Sequence, residues 1–304
     1  MKNKITLFTL AVVLCLFACK KNNDVSAPVV PVTKDTPVLL TRLLLLDTSQ
    51  SNPDTIATYD FSYDDSYRPI RFVYHEMSNY KSEMTYEYQG TDTLANRTTT
   101  IETSISGSTT TIQHDTNYYF YQGDKLMSDS FISEDGNHYQ VRHYNYLADR
   151  ITADYASVTI NPVYSYNGTM VFYETMNNGN LMNMNDTIIY NYPTLTQYLV
   201  NNVAVTYLDH PDPYYKVIRP IRRVYYDEAD WIWYPIPLFV SPQLPAVTQH
   251  DIDSWNSTGG SAGVNTCVYQ YDFRPDGYPS VMHQVDHESG IYDAYFKLVY
   301  FYNK

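Results

Sequence analysis

A pair of tyrosines separated by one residue returns along the whole chain. It stands at Tyr86-Glu-Tyr88, Tyr119-Phe-Tyr121, Tyr144-Asn-Tyr146, Tyr164-Ser-Tyr166, Tyr190-Asn-Tyr192, Tyr269-Gln-Tyr271 and Tyr300-Phe-Tyr302, with a longer form at Tyr59-Asp-Phe61-Ser-Tyr63. Residues two apart share a face of a β-strand and point to different sides of a helix, so each pair lays an aromatic stripe on one side of a strand. Tyr88 and Tyr121 precede Gln-Gly, and Tyr166 precedes Asn167-Gly168, a pairing suited to the positive φ of a tight hairpin turn. The unit is strand, turn, strand, and the interval between units varies between about twenty and thirty residues, as return loops of unequal length require.

The rest of the chain agrees with this reading. The run from Thr98 to Ile112 is rich in Thr and Ile and reads as a hairpin about Ser106-Gly107. Arg274-Pro-Asp-Gly-Tyr278 reads as a turn and Phe296–Tyr302 as a last strand. Prolines crowd the stretch from about 210 to 263, and because Pro cannot donate to a sheet ladder, an irregular excursion over an end or a face is expected there. With 33 tyrosines and only 11 glycines in 304 residues, there is abundant material for aromatic ladders and little for a phosphate cradle. Two uses of so much Tyr stand open: cladding, with the ring buried and the hydroxyl wet, or a groove for sugars and other ring-shaped ligands.

The first residues read differently. Met1-Lys-Asn-Lys4 is followed by an apolar run from Ile5 to Ala18, the pattern of a secretory signal. The run closes on Leu16-Phe17-Ala18-Cys19, which resembles the bacterial lipobox. The resemblance implies cleavage after residue 18 and lipidation of Cys19, with the acyl chains supplying membrane affinity. Residues 19–38, with Pro28, Pro31 and Pro37, read as a tether reaching at most about 60 Å. Residues 39–304 read as one β domain. The net charge of -13 argues against a nucleic-acid partner, which needs a basic face.

The lipobox, the tyrosine hairpins and the turn Asp276-Gly-Tyr-Pro279 together resemble a family of Bacteroidetes lipoproteins of unknown function with a porin-like fold, and in texture the Tyr-Asp repeats of the Rhs type. The resemblance implies an all-β fold: a large, strongly curved antiparallel meander, as a half-barrel or open barrel. It also implies an outer-membrane location, surface-exposed or facing the periplasm. It carries no catalytic residues.

Chemistry-bearing clusters are few. Gly259-Gly-Ser261-Ala-Gly263 spells a nucleophile-elbow pattern, but that motif needs a strand before and a helix after, and a flexible loop is the expected structure. His283 and His287 could share a metal on a helix, whereas on the expected strand they lie about 13 Å apart. The acids Asp64-Asp65 and Asp227-Glu-Ala-Asp230 fall at turns without the spacing of a calcium loop. Cys267, alone in the body of the domain, reads as a buried small side chain. Asp54-Thr-Ile56, Asp92-Thr-Leu94 and Asp186-Thr-Ile188 resemble a short O-glycosylation acceptor. Trp231, Trp233, Tyr225 and Tyr226 form the densest aromatic patch and either anchor the excursion or stack on a sugar ring.

The expectation is therefore a lipid-anchored envelope protein without enzymatic activity, metal or cofactor, serving as a structural or protein-interaction module. A module for an extracellular glycan or other ligand is the alternative, and a hydrolase the remote one. An integral barrel is disfavoured because segments such as Thr98–Gln113 are too polar to face lipid.

Overall fold

The computed structural model describes residues 37–48, 54–77, 79–160, 164–177, 180–193, 196–218, 243–256, 259–288 and 293–304. Among them run sixteen strands: β1 (Leu40–Asp47), β2 (Asp54–Tyr63), β3 (Pro69–Glu76), β4 (Tyr80–Glu87), β5 (Arg97–Ser106), β6 (Thr109–Gln122), β7 (Lys125–Ser133), β8 (His138–Tyr146), β9 (Ile151–Thr159), β10 (Tyr164–Asn177), β11 (Asn180–Asn191), β12 (Thr196–Pro211), β13 (Gln243–Asn256), β14 (Gly259–Phe273), β15 (Pro279–Glu288) and β16 (Asp293–Tyr302). Each pairs antiparallel with its neighbours in sequence. The expected meander is present, and it goes one step further than an open sheet: β1 pairs with β16, Leu43 opposite Tyr300, and the barrel closes. The seam is held beyond the ladder by Leu39 N–H donating to Asn303 Oδ1 (3.0 Å) and Asn303 N–H donating to the Leu39 carbonyl (3.2 Å).

Alternation decides which side chains face inward. Leu43 and Leu45, Ala57, Tyr59 and Phe61, Phe72 and Tyr74, Met84 and Tyr86 sit at every second position and are buried, and they join with Met282 and Leu298 in one core. Fully burying one such side chain contributes about 1.5–3 kcal/mol. The outward positions of the same strands carry ion pairs: Arg42 with Asp60 (2.5 Å), Arg71 with both oxygens of Glu83 (2.7 and 2.8 Å), and Arg97 with Glu87 (3.3 Å). Arg71, joined by Lys81, lowers the Glu83 carboxyl to about 2. This polarity is the reverse of a lipid-immersed barrel, which is apolar outside and wet within.

The tyrosine pairs have a division of labour. The first ring, as in Tyr86, Tyr119, Tyr144 and Tyr269, is buried in the wall. The second stands at the rim, and its hydroxyl donates to a carbonyl at or near the start of the preceding strand: Tyr63 to Leu40 (2.7 Å), Tyr88 to Pro69 (2.7 Å), Tyr146 to Leu126 (2.9 Å), Tyr271 to Pro245 (3.0 Å) and Tyr302 to Pro279 (2.8 Å). A cation from the turn before that strand, or from the strand's first residue, lies over the same ring in three of these: Arg68 over Tyr88 (4.6 Å), Lys125 over Tyr146 (4.9 Å) and Arg274 over Tyr302 (4.7 Å). One side chain thus fastens two strands and a turn. We call this end the tyrosine rim and the opposite end the far rim.

Three expectations need correction. Asn167-Gly168 is not a turn: Gly168 lies inside β10, opposite Tyr155 on one side and Tyr190 on the other. A Cβ there would stand 2.3 Å from the Ile189 carbonyl oxygen, so the position needs glycine for close approach, not for positive φ. Gly259–Gly263 opens β14 rather than forming a loop. The Pro-rich excursion is shorter than 210–263, because β12 ends on Pro211 and β13 already includes Pro245, which sits where the register with β12 shifts. Strand ends and bulges tolerate the missing N–H. The Ser106-Gly107 hairpin and the turn at 274–278 form as expected.

Two rim turns share one geometry. In the β14–β15 turn Arg274 N–H reaches the Tyr278 carbonyl and Gly277 N–H the Arg274 carbonyl; in the β2–β3 turn Asp64 N–H reaches Arg68 and Tyr67 N–H reaches Asp64. Gly277 has φ 84°, and Tyr67 occupies the matching place at φ 61°. A tyrosine in that region is strained by about 1–2 kcal/mol. Tyr67→Gly is therefore expected to raise stability by about 1 kcal/mol in urea unfolding, part of the relief being offset by glycine's greater freedom in the unfolded chain. Tyr88→Phe and Tyr302→Phe keep the ring and lose the carbonyl bond, and each is expected to cost about 1 kcal/mol in the same assay. Unchanged midpoints for both would mean that the rim hydroxyls fasten nothing.

Candidate functional site

The two ends of the barrel interior offer different chemistry. At the tyrosine rim the chain leaves β12 and turns inward. Asp212 Oδ1 accepts from Tyr214 N–H (2.8 Å) and starts a single helical turn, α1 (Tyr215–Ile218). Pro213, Tyr214 and Val217 are buried. Tyr214 meets Phe61 of β2 edge to face at 5.7 Å, and the His210 ring stacks on Phe273 at 3.9 Å. The described part of the excursion is therefore a plug inside the barrel, not a cover over it. Pairing alone could not show this, since proline density reports only where ladders stop.

Leu43, Asp212, Tyr214, Leu244, Pro245, Tyr271 and Tyr300 line a small cavity with room for about one water. Asp212 faces that space among tyrosines. Burial raises its carboxyl to about 7, against the pull of the Tyr214 and Tyr215 N–H groups. Burial likewise pushes the hydroxyls of Tyr214, Tyr271 and Tyr300 upward, so these stay protonated at neutral pH.

At the far rim the inward face of β8–β11 gathers a second cluster. The rings of Tyr155 and Tyr166 lie 5.5 Å apart with their hydroxyls bonded at 2.9 Å. Tyr190 stands 5.8 Å from Tyr166, and Tyr192 only 4.9 Å from it. Gly168 leaves the gap over which Tyr155 and Tyr190 meet edge to face, at 6.2 Å. Beside them His138 Nε2 meets Ser157 Oγ (3.2 Å) and Gln140 Nε2 (3.1 Å). Deeper in the wall Arg142 Nε donates to Asp129 Oδ1 (2.7 Å), and Tyr144 OH donates to Asp129 Oδ2 (2.8 Å). Tyr155 is buried, while Tyr166, Tyr190 and Tyr192 keep part of their surface open. The sequence contained the signal, since Tyr164-Ser-Tyr166 and Tyr190-Asn-Tyr192 are pairs like the others. It did not show that these two sit at the opposite end from the rest.

The residues singled out from the sequence fare unequally. Cys19, Tyr225, Tyr226, Trp231, Trp233 and the acids at 227–230 lie outside the described residues. His283 and His287 both lie on β15, where their spacing forbids a shared ion. Among the described residues no three His, Cys, Asp or Glu come together to hold a metal. Asp64 is occupied by its own turn, accepting from Ser66 N–H (2.9 Å), Arg68 N–H (2.9 Å) and Arg68 Nε (2.7 Å). Ser261 is a strand residue of β14 opposite Ser254. Cys267 is half-buried and packs against the core.

No family model matches the chain, and no curated protein is similar to it. Solved structures of similar shape include two porin-like proteins. A porin-like protein from Bacteroides vulgatus shares 10% identity with a TM-score of 0.45, covering 88% of this chain and 99% of that one. A porin-like protein from Bacteroides uniformis shares 12% identity with a TM-score of 0.42, covering 86% and 96%.

Asp212 gives a test of the plug. The unfolded carboxyl releases its proton near pH 3.9, whereas the folded one holds it to about 7. The stability of the protonated form is full below about 3.9 and is lost as pH rises through 7. Asn keeps the cap without the charge, so Asp212→Asn is expected to be the more stable protein at pH 8, on the order of 2–4 kcal/mol, with the advantage fading toward pH 4. Glu174 and Asp115, raised by burial to about 7 and about 6, remain in both proteins, so the difference isolates Asp212. Parallel melting curves of the two proteins at pH 4, 6 and 8 would place Asp212 in water.

Proposed function

We propose that this protein is a lipid-anchored component of the bacterial cell envelope, held through Cys19 at the outer membrane, whose barrel presents a protein-interaction wall and carries no catalytic centre. The observation that carries the reading is a change of polarity around the barrel. On β1–β4 the outward face is charged and the inward face apolar. On β5–β9 the inward face buries polar residues as well, Thr98, Thr100, Asp115, Asp129 and Ser157 among them, and the outward face exposes large apolar residues between polar ones. Ile112, Phe120 and Ile160 are 57–59% exposed, and Ile132, Tyr139 and Val158 align as direct cross-strand neighbours. An exposed apolar face of this kind marks a contact surface.

The occupant that suits this face is protein rather than lipid. The row Phe120, Ser128, His143, Asp154 crosses the patch with three polar residues, which the hydrocarbon region of a bilayer would reject. The buried tyrosines, leucines and methionines on the inner wall, with Tyr214 and Val217 of the segment after β12 packed among them, support a scaffold over a conducting pore.

Photo-crosslinking on intact cells tests this. A crosslinking residue at Phe120 or Tyr139 is expected to yield one discrete adduct, and the same residue at Arg71 on the charged wall none. Equal adducts from both walls, or none from either, would overturn the interaction reading. Cys19→Ser is expected to move the protein from the membrane to the soluble fraction, and retention in the membrane would overturn the anchor.

A further inference from the structure

We propose that the far-rim tyrosine cluster is a binding site for a neutral saccharide ring. The site is built of Tyr166, Tyr190 and Tyr192, with Gln140, His138 and Ser157 beside them. Three features lead to this ligand class.

The first is shape. Tyr166 and Tyr192 are tilted by 34° at 4.9 Å, and Tyr190 closes on Tyr166 at 67°, so the rings form an angled wall. Their surfaces are partly open, unlike the buried first tyrosines of the opposite rim. The C–H face of a pyranose packs on such a wall, and the ring hydroxyls remain for hydrogen bonds.

The second is the polar set. A Gln amide, a His ring and a Ser hydroxyl each offer both donor and acceptor atoms, as vicinal hydroxyls require. They are already chained, Gln140 to His138 and His138 to Ser157, which fixes their orientation before a ligand arrives. Burial lowers the His138 ring below its ordinary value, so it is neutral at pH 7.

The third is charge. Arg142, which acts on Tyr155 in the wall, is matched by Asp129 at 2.7 Å. Asp129 is also engaged by Tyr144. Among the described residues the site therefore offers no uncompensated cation to an anionic sugar, and the Asp135 carboxylate that acts on His138 from the β7–β8 turn is engaged by Ser133 Oγ (2.7 Å) and Asn137 Nδ2 (2.6 Å). What remains is aromatic surface with neutral hydrogen-bonding groups. The rim fastening described above does not need this cluster, since Tyr166, Tyr190 and Tyr192 lie at the end away from the tyrosine rim.

Titration calorimetry on the full chain in mild detergent tests the proposal, with maltohexaose, cellohexaose and chitin hexamer as neutral probes and hexagalacturonate as the anionic one. Binding of at least one neutral hexasaccharide is expected, weakened about 10-fold or more by Tyr192→Ala and by Tyr190→Ala, and only a few-fold by Tyr192→Phe. Gln140→Ala, a smaller change in a half-open position, is expected to weaken it as well and covers the case in which a tyrosine variant fails to fold. Three results would overturn the site: no neutral probe binds, only the anionic probe binds, or binding survives the tyrosine variants and disappears with Trp231→Ala and Trp233→Ala. None of these bears on the outer wall of β5–β9, so the interaction reading stands or falls separately.

Discussion

The hydrogen bond from a rim tyrosine to a carbonyl near the start of the preceding strand is the interaction on which this barrel depends. A two-stranded hairpin is marginal in water, and a sheet this wide has many chances to slip. Each rim tyrosine ties the end of one strand to the beginning of the one before it, at a fixed register. In two hairpins an arginine from the preceding turn lies on the ring and brings the turn into the same assembly, and in a third Lys125 at the start of β7 does so. The last rim tyrosine, Tyr302, lies on the strand that pairs with β1, so the closing seam is built from the same part as the interior of the sheet.

Closure has consequences for what fills the middle. A barrel of sixteen strands is wide, and barrels of that size leave a channel unless something occupies it. Here inward-facing tyrosines, leucines and methionines occupy much of it, and the segment after β12 brings Tyr214 across to Phe61. Asp212 is the cost of that arrangement: the cap it gives to α1 comes with a carboxyl in a tyrosine-lined space. The polar residues buried on the inward side of β5–β9 have their counterpart in the large apolar residues exposed outside, so the two walls of the barrel meet their surroundings differently.

Much of this was legible in the sequence. The spacing of Tyr86 and Tyr88, or Tyr144 and Tyr146, specifies a strand with one aromatic face, and the structure has that strand each time. The turn at Arg274–Tyr278 was equally plain. Three features were not. Alternation says which residues share a face, but not whether the first and last strands meet, because that depends on twist and register accumulated over the whole sheet. Gly168 carried the chemistry of a hairpin turn, yet the rings of Tyr155 and Tyr190 close over it and β10 runs straight through. The prolines from Pro211 onward announced an interruption without saying that it folds inward. For the sites, the aromatic residues at 225–233 drew attention by density, while Tyr166, Tyr190 and Tyr192 were hidden among similar pairs. Only the strand order, which puts them at the end opposite their relatives, separates a cluster from a ladder.

The central claim is that the β1–β4 wall is apolar within and charged without, and that the apolar residues on the outer face of β5–β9 form a patch for protein rather than a band for lipid. Sedimentation velocity of the chain beginning at residue 38, in buffer free of detergent, tests it most directly. The account predicts a single compact monomeric species, as the charged outer face of β1–β4 and the polar row that crosses β6–β9 require. A chain that sediments as heterogeneous aggregate and becomes monodisperse only in detergent would contradict it, because that is the behaviour of a barrel whose outer surface belongs in lipid.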